Sequence, residues 1–381
     1  MPVSSRRYDL DALRVGAFGL LILYHLGMFY VPWGWHVKSD HILPQLEPLM
    51  GAVNPWRLSL LFIISGAATR FMAGKSATGE LARQRSSRLL IPLAFGVLLV
   101  VPPQSWAEVV EKYGYAGSFL DFYPRYLSAG QSFGDLILPT YNHLWFVAYL
   151  WVYTMIALAC RPLAPLVDRI AARVLTGPGL FLVPAALFGL YRATAGLTWG
   201  ETHNVFADAY GHLQYGTAFL LGLVMARNTE VWARLQDARV VTTGVAAGLL
   251  AVGVWLRGLG IEEGPGAAGV AFAVLREAYA WMVMAALFGF ARRYITRGSP
   301  LLTLAGDAVF AFYIIHQTAI VLAGHLLKPL DLPALGEAAI ILAVTLASCT
   351  AGYALARAVP WLRLPLGLKP APKRAAEPAL A

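Results

Sequence analysis

The feature that most constrains this chain is a run of about twenty apolar residues that recurs from one end to the other, separated by short polar gaps. Such a segment satisfies its own backbone hydrogen bonds when helical and has no use for water on any face, which is the form in which a chain crosses a bilayer. Ten segments are predicted, at residues 10–31, 55–73, 89–106, 142–160, 178–197, 209–226, 240–257, 270–290, 300–323 and 336–358. The third is short and carries Pro92. Composition agrees, with 58% of residues hydrophobic and 13% charged, where a soluble domain is about one-quarter charged. The expected fold is all-α: a polytopic membrane helix bundle of about ten transmembrane helices. One integral membrane domain over 1–362 would be followed by a short, basic, disordered tail over 363–381. Arg6 and Arg7 precede the first run and no small-residue cleavage site follows it, so that run is expected to stay as the first helix.

A net charge of +9 raises nucleic acid as a partner. The placement of the charge excludes it, because the basic residues sit at the ends of the apolar runs. One set of alternate connections, from Arg6 and Arg7 to Lys373 and Arg374, holds 21 Lys and Arg, and the opposite set holds six: Lys38, Arg57, Lys112, Arg125, Arg257 and Lys328. Basic loops face the cytoplasm, which puts both termini there. The two cysteines, Cys160 and Cys349, form no metal-binding or disulfide pattern. Two longer outer loops, about 32–54 and 107–141, are rich in aromatics. Their two readings are interfacial anchoring and a stacking platform for sugar rings.

Ionisable residues inside apolar spans are costly and mark function by default. Arg14 and His25 lie eleven residues apart in the first span. Eleven residues is close to three helical turns, so both project from one face, separated by roughly 16 Å along the membrane normal. Arg14 then sits at the cytoplasmic edge and His25 in the outer half. Arg85 and Arg88, three apart at the cytoplasmic mouth of the third span, share a face and carry the planar fork that binds phosphate. Towards the outside lie His143 and Trp145 at the start of the fourth span, Arg192 late in the fifth, His212 opening the sixth and His316 late in the ninth. These fit a polar chamber open outward. No carboxylate is spaced to complete a metal site with the three histidines, so no metal is expected. A buried histidine between cationic mouth and outer chamber suits a general base that takes a hydroxyl proton as that hydroxyl attacks an acyl carbon.

These residues also carry a resemblance. Asp11-Ala12-Leu13-Arg14 through His25, Arg85-Ser86-Ser87-Arg88, and the stretches 56–70, 141–150 and 312–317 resemble, in order, the motifs of the membrane-bound acyltransferase type 3 family. The stretches 21–38 and 117–124 are similar to its glucan biosynthesis branch. The resemblance spans residues 7 to about 360 and implies a bacterial inner-membrane enzyme. Such an enzyme moves an acyl group from cytoplasmic acyl-coenzyme A to a carbohydrate hydroxyl on the far side. By that resemblance His25 is catalytic, and Arg14, Arg85 and Arg88 hold the coenzyme A phosphates. The acyl group is succinyl, with acetyl as the alternative, and the acceptor is a periplasmic glucan. Acyl-coenzyme A is a co-substrate, no tightly bound cofactor is implied, and the partners are donor, acceptor and lipid. Arg192 is the candidate for pairing with a succinyl carboxylate. The rival reading is a transporter or exporter of a glycan or small anion, against which stands the lack of any internal repeat. A third reading is a non-catalytic partner of a glycan synthase.

Overall fold

The computed structural model describes residues 6–369. It is built from α1 (Tyr8–Tyr30), α2 (Glu47–Ala73), α3 (Thr78–Phe95), α4 (Val101–Tyr113), α5 (Phe119–Leu127), α6 (Trp145–Ala159) and α7 (Ala164–Val174). The second half follows with α8 (Gly179–Tyr191), α9 (Leu197–Trp199), α10 (Ala209–Met225), α11 (Thr229–Gly258), α12 (Ala267–Tyr294), α13 (Pro300–Leu327) and α14 (Ala334–Ala358). The strands are a two-residue hairpin, β1 (Ser132–Phe133) and β2 (Leu136–Ile137). The fold is therefore the expected all-α membrane bundle. Side-chain caps start three of the late helices: Asp208 accepts from Gly211 N–H, Asn228 from Val231 N–H and Ser299 from Leu302 N–H.

Among the described residues, nine helical rods are long and apolar enough to cross a bilayer. The remaining predicted segment is α10, whose 17 residues lie at the short end of what spans. It runs parallel to α2, from the Phe62–Tyr215 ring stack at one end to Arg227 against Gly74 at the other. It therefore crosses in the same sense as α2. The two backbones touch at reciprocal glycines. A Cβ on Gly66 would meet the Phe219 carbonyl oxygen at 2.0 Å, and one on Gly222 the Ile63 carbonyl oxygen at 1.9 Å. In lipid, close packing of this kind replaces the missing hydrophobic drive between helices. Gly222→Ala is expected to destabilise the bundle by about 1–3 kcal/mol in a thermal melt in detergent. Gly216→Ala on the same helix, whose Cβ would find only ordinary contacts, is expected to leave the melt unchanged.

The third span differs most from expectation. It is a single 36-residue rod, Thr78–Tyr113, rather than 89–106. Pro102 and Pro103 remove two donors from its middle, and the chain answers with a π turn over Gly96–Val100. The carbonyls of that turn find other donors: Tyr126 Oη for Val97 at 2.8 Å, Tyr123 Oη for Leu98 at 2.9 Å and Thr318 Oγ1 for Val100 at 2.8 Å. Two of the outer-loop aromatics are thus spent on the backbone of the rod, and Phe122 and Tyr126 are fully buried. Likewise α2 begins at Glu47 and continues through Pro55, which puts Arg57 inside the bundle rather than in a loop. The first part of the predicted disordered tail 363–381 is ordered. Residues 363–369 fold back on the bundle, with Leu366 and Leu368 buried in the main core beside Val359 and Leu362. Residues 370–381 lie outside the described residues.

Candidate active site

The first helix sits among α13, α12 and α2, so its polar face is turned into the bundle. On the outer side this face opens on a cavity of about 820 Å³, within the range of ligand sites. His25 of α1, Arg57 of α2, Glu108 and Lys112 of α4, and His143, Trp145 and Gln317 line its floor and walls. Its mouth is formed by Trp35 and His36, by 135–137 and 139–142, and by 201–206.

The central contact is between His25 Nδ1 and His316 Nε2, 2.8 Å apart, with the two rings nearly coplanar in orientation at 4°. Its polarity follows from the other side of His316. That side chain's Nδ1 lies 2.8 Å from the Tyr313 carbonyl oxygen and 3.2 Å from that of Phe312. A carbonyl only accepts, so His316 Nδ1 carries the proton and a neutral His316 presents Nε2 as an acceptor. His25 Nδ1–H then donates to it, which leaves His25 Nε2 with its lone pair. The arrangement is a base held in one tautomer by a second histidine and two helix carbonyls.

A second polar chain crosses beside it. Lys112 Nζ donates to Glu108 at 2.6 Å, His36 Nδ1 donates to Glu108 at 2.5 Å, and Gln317 Nε2 donates to His36 Nε2 at 2.9 Å. From Gln317 it runs to Gln104 at 3.3 Å, then His143 Nδ1 at 3.4 Å, and ends where His143 Nε2 donates to the Ile314 carbonyl at 3.0 Å. His143 thus stands edge-on to His316 with both nitrogens engaged. Trp145 faces the cavity and stacks on His203, with centroids 4.2 Å apart. His203 is held to Glu201 at 3.2 Å. Burial acts to raise the Glu201 carboxyl, but the hydrogen bond and charge of His203, with the charges of Arg276 and Arg192, hold it down to about 2.

Three expected chamber residues do not line the cavity: His316, which stands behind His25, and His212 and Arg192. His212 Nε2 donates to the Val205 carbonyl and its Nδ1 accepts from Tyr153, while the ring stacks on Tyr149. Its work is to tie the 201–208 loop to α6. Arg192 is clamped by Glu263, which also takes Arg276 at 3.1 Å, and Arg276 pairs in turn with the buried Glu277. With its fork already spent, Arg192 is unavailable to a ligand carboxylate. Glu263→Ala would leave Arg192 without a carboxylate and Arg276 with one of its two. Breaking a largely buried pair costs about 3–5 kcal/mol, which a melt of the variant against wild type would register.

At the cytoplasmic end, Arg14 reaches Asp11 and the Gly306 carbonyl, each at 3.4 Å, and its buried Nε has no partner. Arg85 also keeps a buried Nε without a partner. Among the described residues, no carboxylate pairs with Arg85 or Arg88. Asp307, next to Gly306 on α13, lies within electrostatic reach of Arg88 and Arg6. The start of α13 thereby links the Arg14 and Arg88 regions. Sequence reasoning missed His36, Arg57, Glu108, Glu201 and His203. Their one legible signal was that His36 and Glu108 lie close to predicted span ends.

The chain belongs to the acyltransferase family whose "Acyltransferase domain" model matches residues 7–357. It is a multi-pass membrane acyltransferase. Among curated proteins it is similar to the Glucans biosynthesis protein C of Escherichia coli O6:K15:H31, at 26% identity over 151 residues, which is 40% of this chain and 38% of that protein. It is similar also to the Glucans biosynthesis protein C of Salmonella paratyphi B, at 25% over 153 residues, again 40% and 38%. The match thus spans well under half the length of these relatives. No solved structure matches the chain.

Proposed function

We propose that this protein is a transmembrane O-acyltransferase of a bacterial inner membrane. It takes acyl-coenzyme A from the cytoplasm and acylates a hydroxyl of an outer-face carbohydrate, a periplasmic glucan. The observation that carries this reading is that His25 lines an outward-facing cavity and is backed by His316, whose own contacts with the Tyr313 and Phe312 carbonyls leave His25 Nε2 with its lone pair.

The chemistry runs as follows. The acceptor hydroxyl gives its proton to His25 Nε2 while its oxygen bonds to the thioester carbon. The carbon–sulfur bond then breaks, and the departing thiolate takes the proton back from the imidazolium, so that coenzyme A leaves as the thiol and His25 is neutral again. Arg14, Arg85 and Arg88 hold the donor phosphates through their forks, and the unpartnered buried Nε atoms of Arg14 and Arg85 support an anion there. The acceptor enters past Tyr141, Glu201 and His203 and comes to rest against His203 and the edge of Trp145, a surface built of loops that tie to each other. Lysines and arginines of the basic end keep the donor site on the cytoplasmic side. The succinyl group is the donor's acyl moiety in this reading, with acetyl as the alternative.

A panel of acyl-coenzyme A thioesters offered to purified protein, with thiol release followed in the presence and absence of a glucan, tests the reading directly. Selective turnover of one thioester supports it. Failure of every thioester to bind or turn over would sink it and return the weight to transport.

A further inference from the structure

Arg57 has no counterpart among the expected site residues. It sits some three turns inside α2, 8% exposed, with its guanidinium over the Tyr24 ring at 3.5 Å. Tyr24 is the residue before His25, so Arg57 is held beside the reacting histidine. One edge of the fork is used: Nη1 donates to the Asn54 carbonyl at 2.9 Å and to its side chain. The Nε atom is buried without a partner. Among the described residues no carboxylate lies within ion-pairing distance of Arg57. The cavity it lines is not short of carboxylates, but each has an owner or lies at the rim. Glu108 is taken by His36 and Lys112, Glu201 by His203, and Asp135 stands exposed on the hairpin.

A buried, unpaired guanidinium is too costly to be inert. It is offset if a substrate anion arrives opposite it, and a bidentate fork selects a carboxylate by geometry. We infer that Arg57 is the anion anchor of the outer cavity and takes the distal carboxylate of a dicarboxylic acyl group while the thioester carbonyl lies at His25. Depth favours the acyl group over the acceptor as the source of the carboxylate. Arg57 lies beneath the loops past which the acceptor enters, next to the residue at which the acyl carbon must sit. The inference rests on the acyltransferase reading, and it moves to Arg57 the role that the Glu263 clamp denies to Arg192.

The test uses the full-length protein in detergent, with succinyl- and acetyl-coenzyme A as donors and a neutral or a uronic-acid-bearing glucan as acceptor. Arg57→Gln is expected to lower the succinyl-over-acetyl ratio of kcat/KM on the order of 100-fold. Arg57→Lys, which keeps the charge but loses the fork, should fall between. Calorimetry should show the same loss in succinyl-coenzyme A binding. An equal loss with both donors, or no loss, would overturn the assignment, and so would a loss that follows the charge of the acceptor rather than the donor. If wild type acylates glucan while Arg57 variants keep its donor preference, only this inference falls. If wild type turns over neither donor, the acyltransferase reading falls first and takes this one with it.

Discussion

Replacing His25 by alanine is expected to lower acyl transfer by about 10³-fold, with insertion, purification and melting temperature close to wild type. The expectation follows from where the side chain sits. His25 lines a cavity already open to the outer side, so its loss widens existing space instead of leaving a sealed void. It also removes the one nitrogen that the His316 contact leaves free to accept a proton. In the proposed reading the donor phosphates bind at the other end of α1, so the defect should fall on kcat and leave the donor KM nearly unchanged. Arg88→Ala is the converse. It should raise the donor KM several-fold with kcat largely kept, since phosphate contacts bind ground and transition states alike. Full activity in His25→Ala, measured by acceptor acylation rather than thiol release alone, would remove the base from the mechanism.

Hydropathy made the helices legible because lipid leaves a chain so few choices, and spacing alone put Arg14 and His25 on one face. The same reasoning failed where prolines stand. Pro55 read as a boundary, yet it lies inside α2, since a bundle of neighbouring helices tolerates proline within a span. Those shifts decided the site. With α2 starting at Pro55, Arg57 counted as one more loop charge. With the third span ending at 106, Glu108 and Lys112 fell outside it. Pairings between distant segments were beyond sequence altogether. Arg192 looked free because Glu263, 71 residues on, is a loop residue with no periodicity to betray it. The same holds for His316, which is 291 residues from His25; the motif around it resembled the family's, but its partner was not readable.

That partner leads to the second large effect. His316→Leu removes the acceptor for His25 Nδ1–H and the two carbonyl contacts behind it, leaving His25 free to rotate and to place its proton on either nitrogen. Transfer should fall on the order of 100-fold, in kcat, because a fraction of molecules then present N–H instead of a lone pair to the acceptor hydroxyl. His316→Gln tells a positioning role from a merely structural one. Its amide oxygen can still accept from His25 Nδ1, so it should recover most of what leucine loses, although it fills the space no better. Matched melting curves for the two variants, together with unequal kcat, would establish that His316 acts through His25. If leucine and glutamine lose activity equally and in step with stability, His316 only packs α13 against α1. If leucine is fully active, the tautomer of His25 is set by something other than this contact.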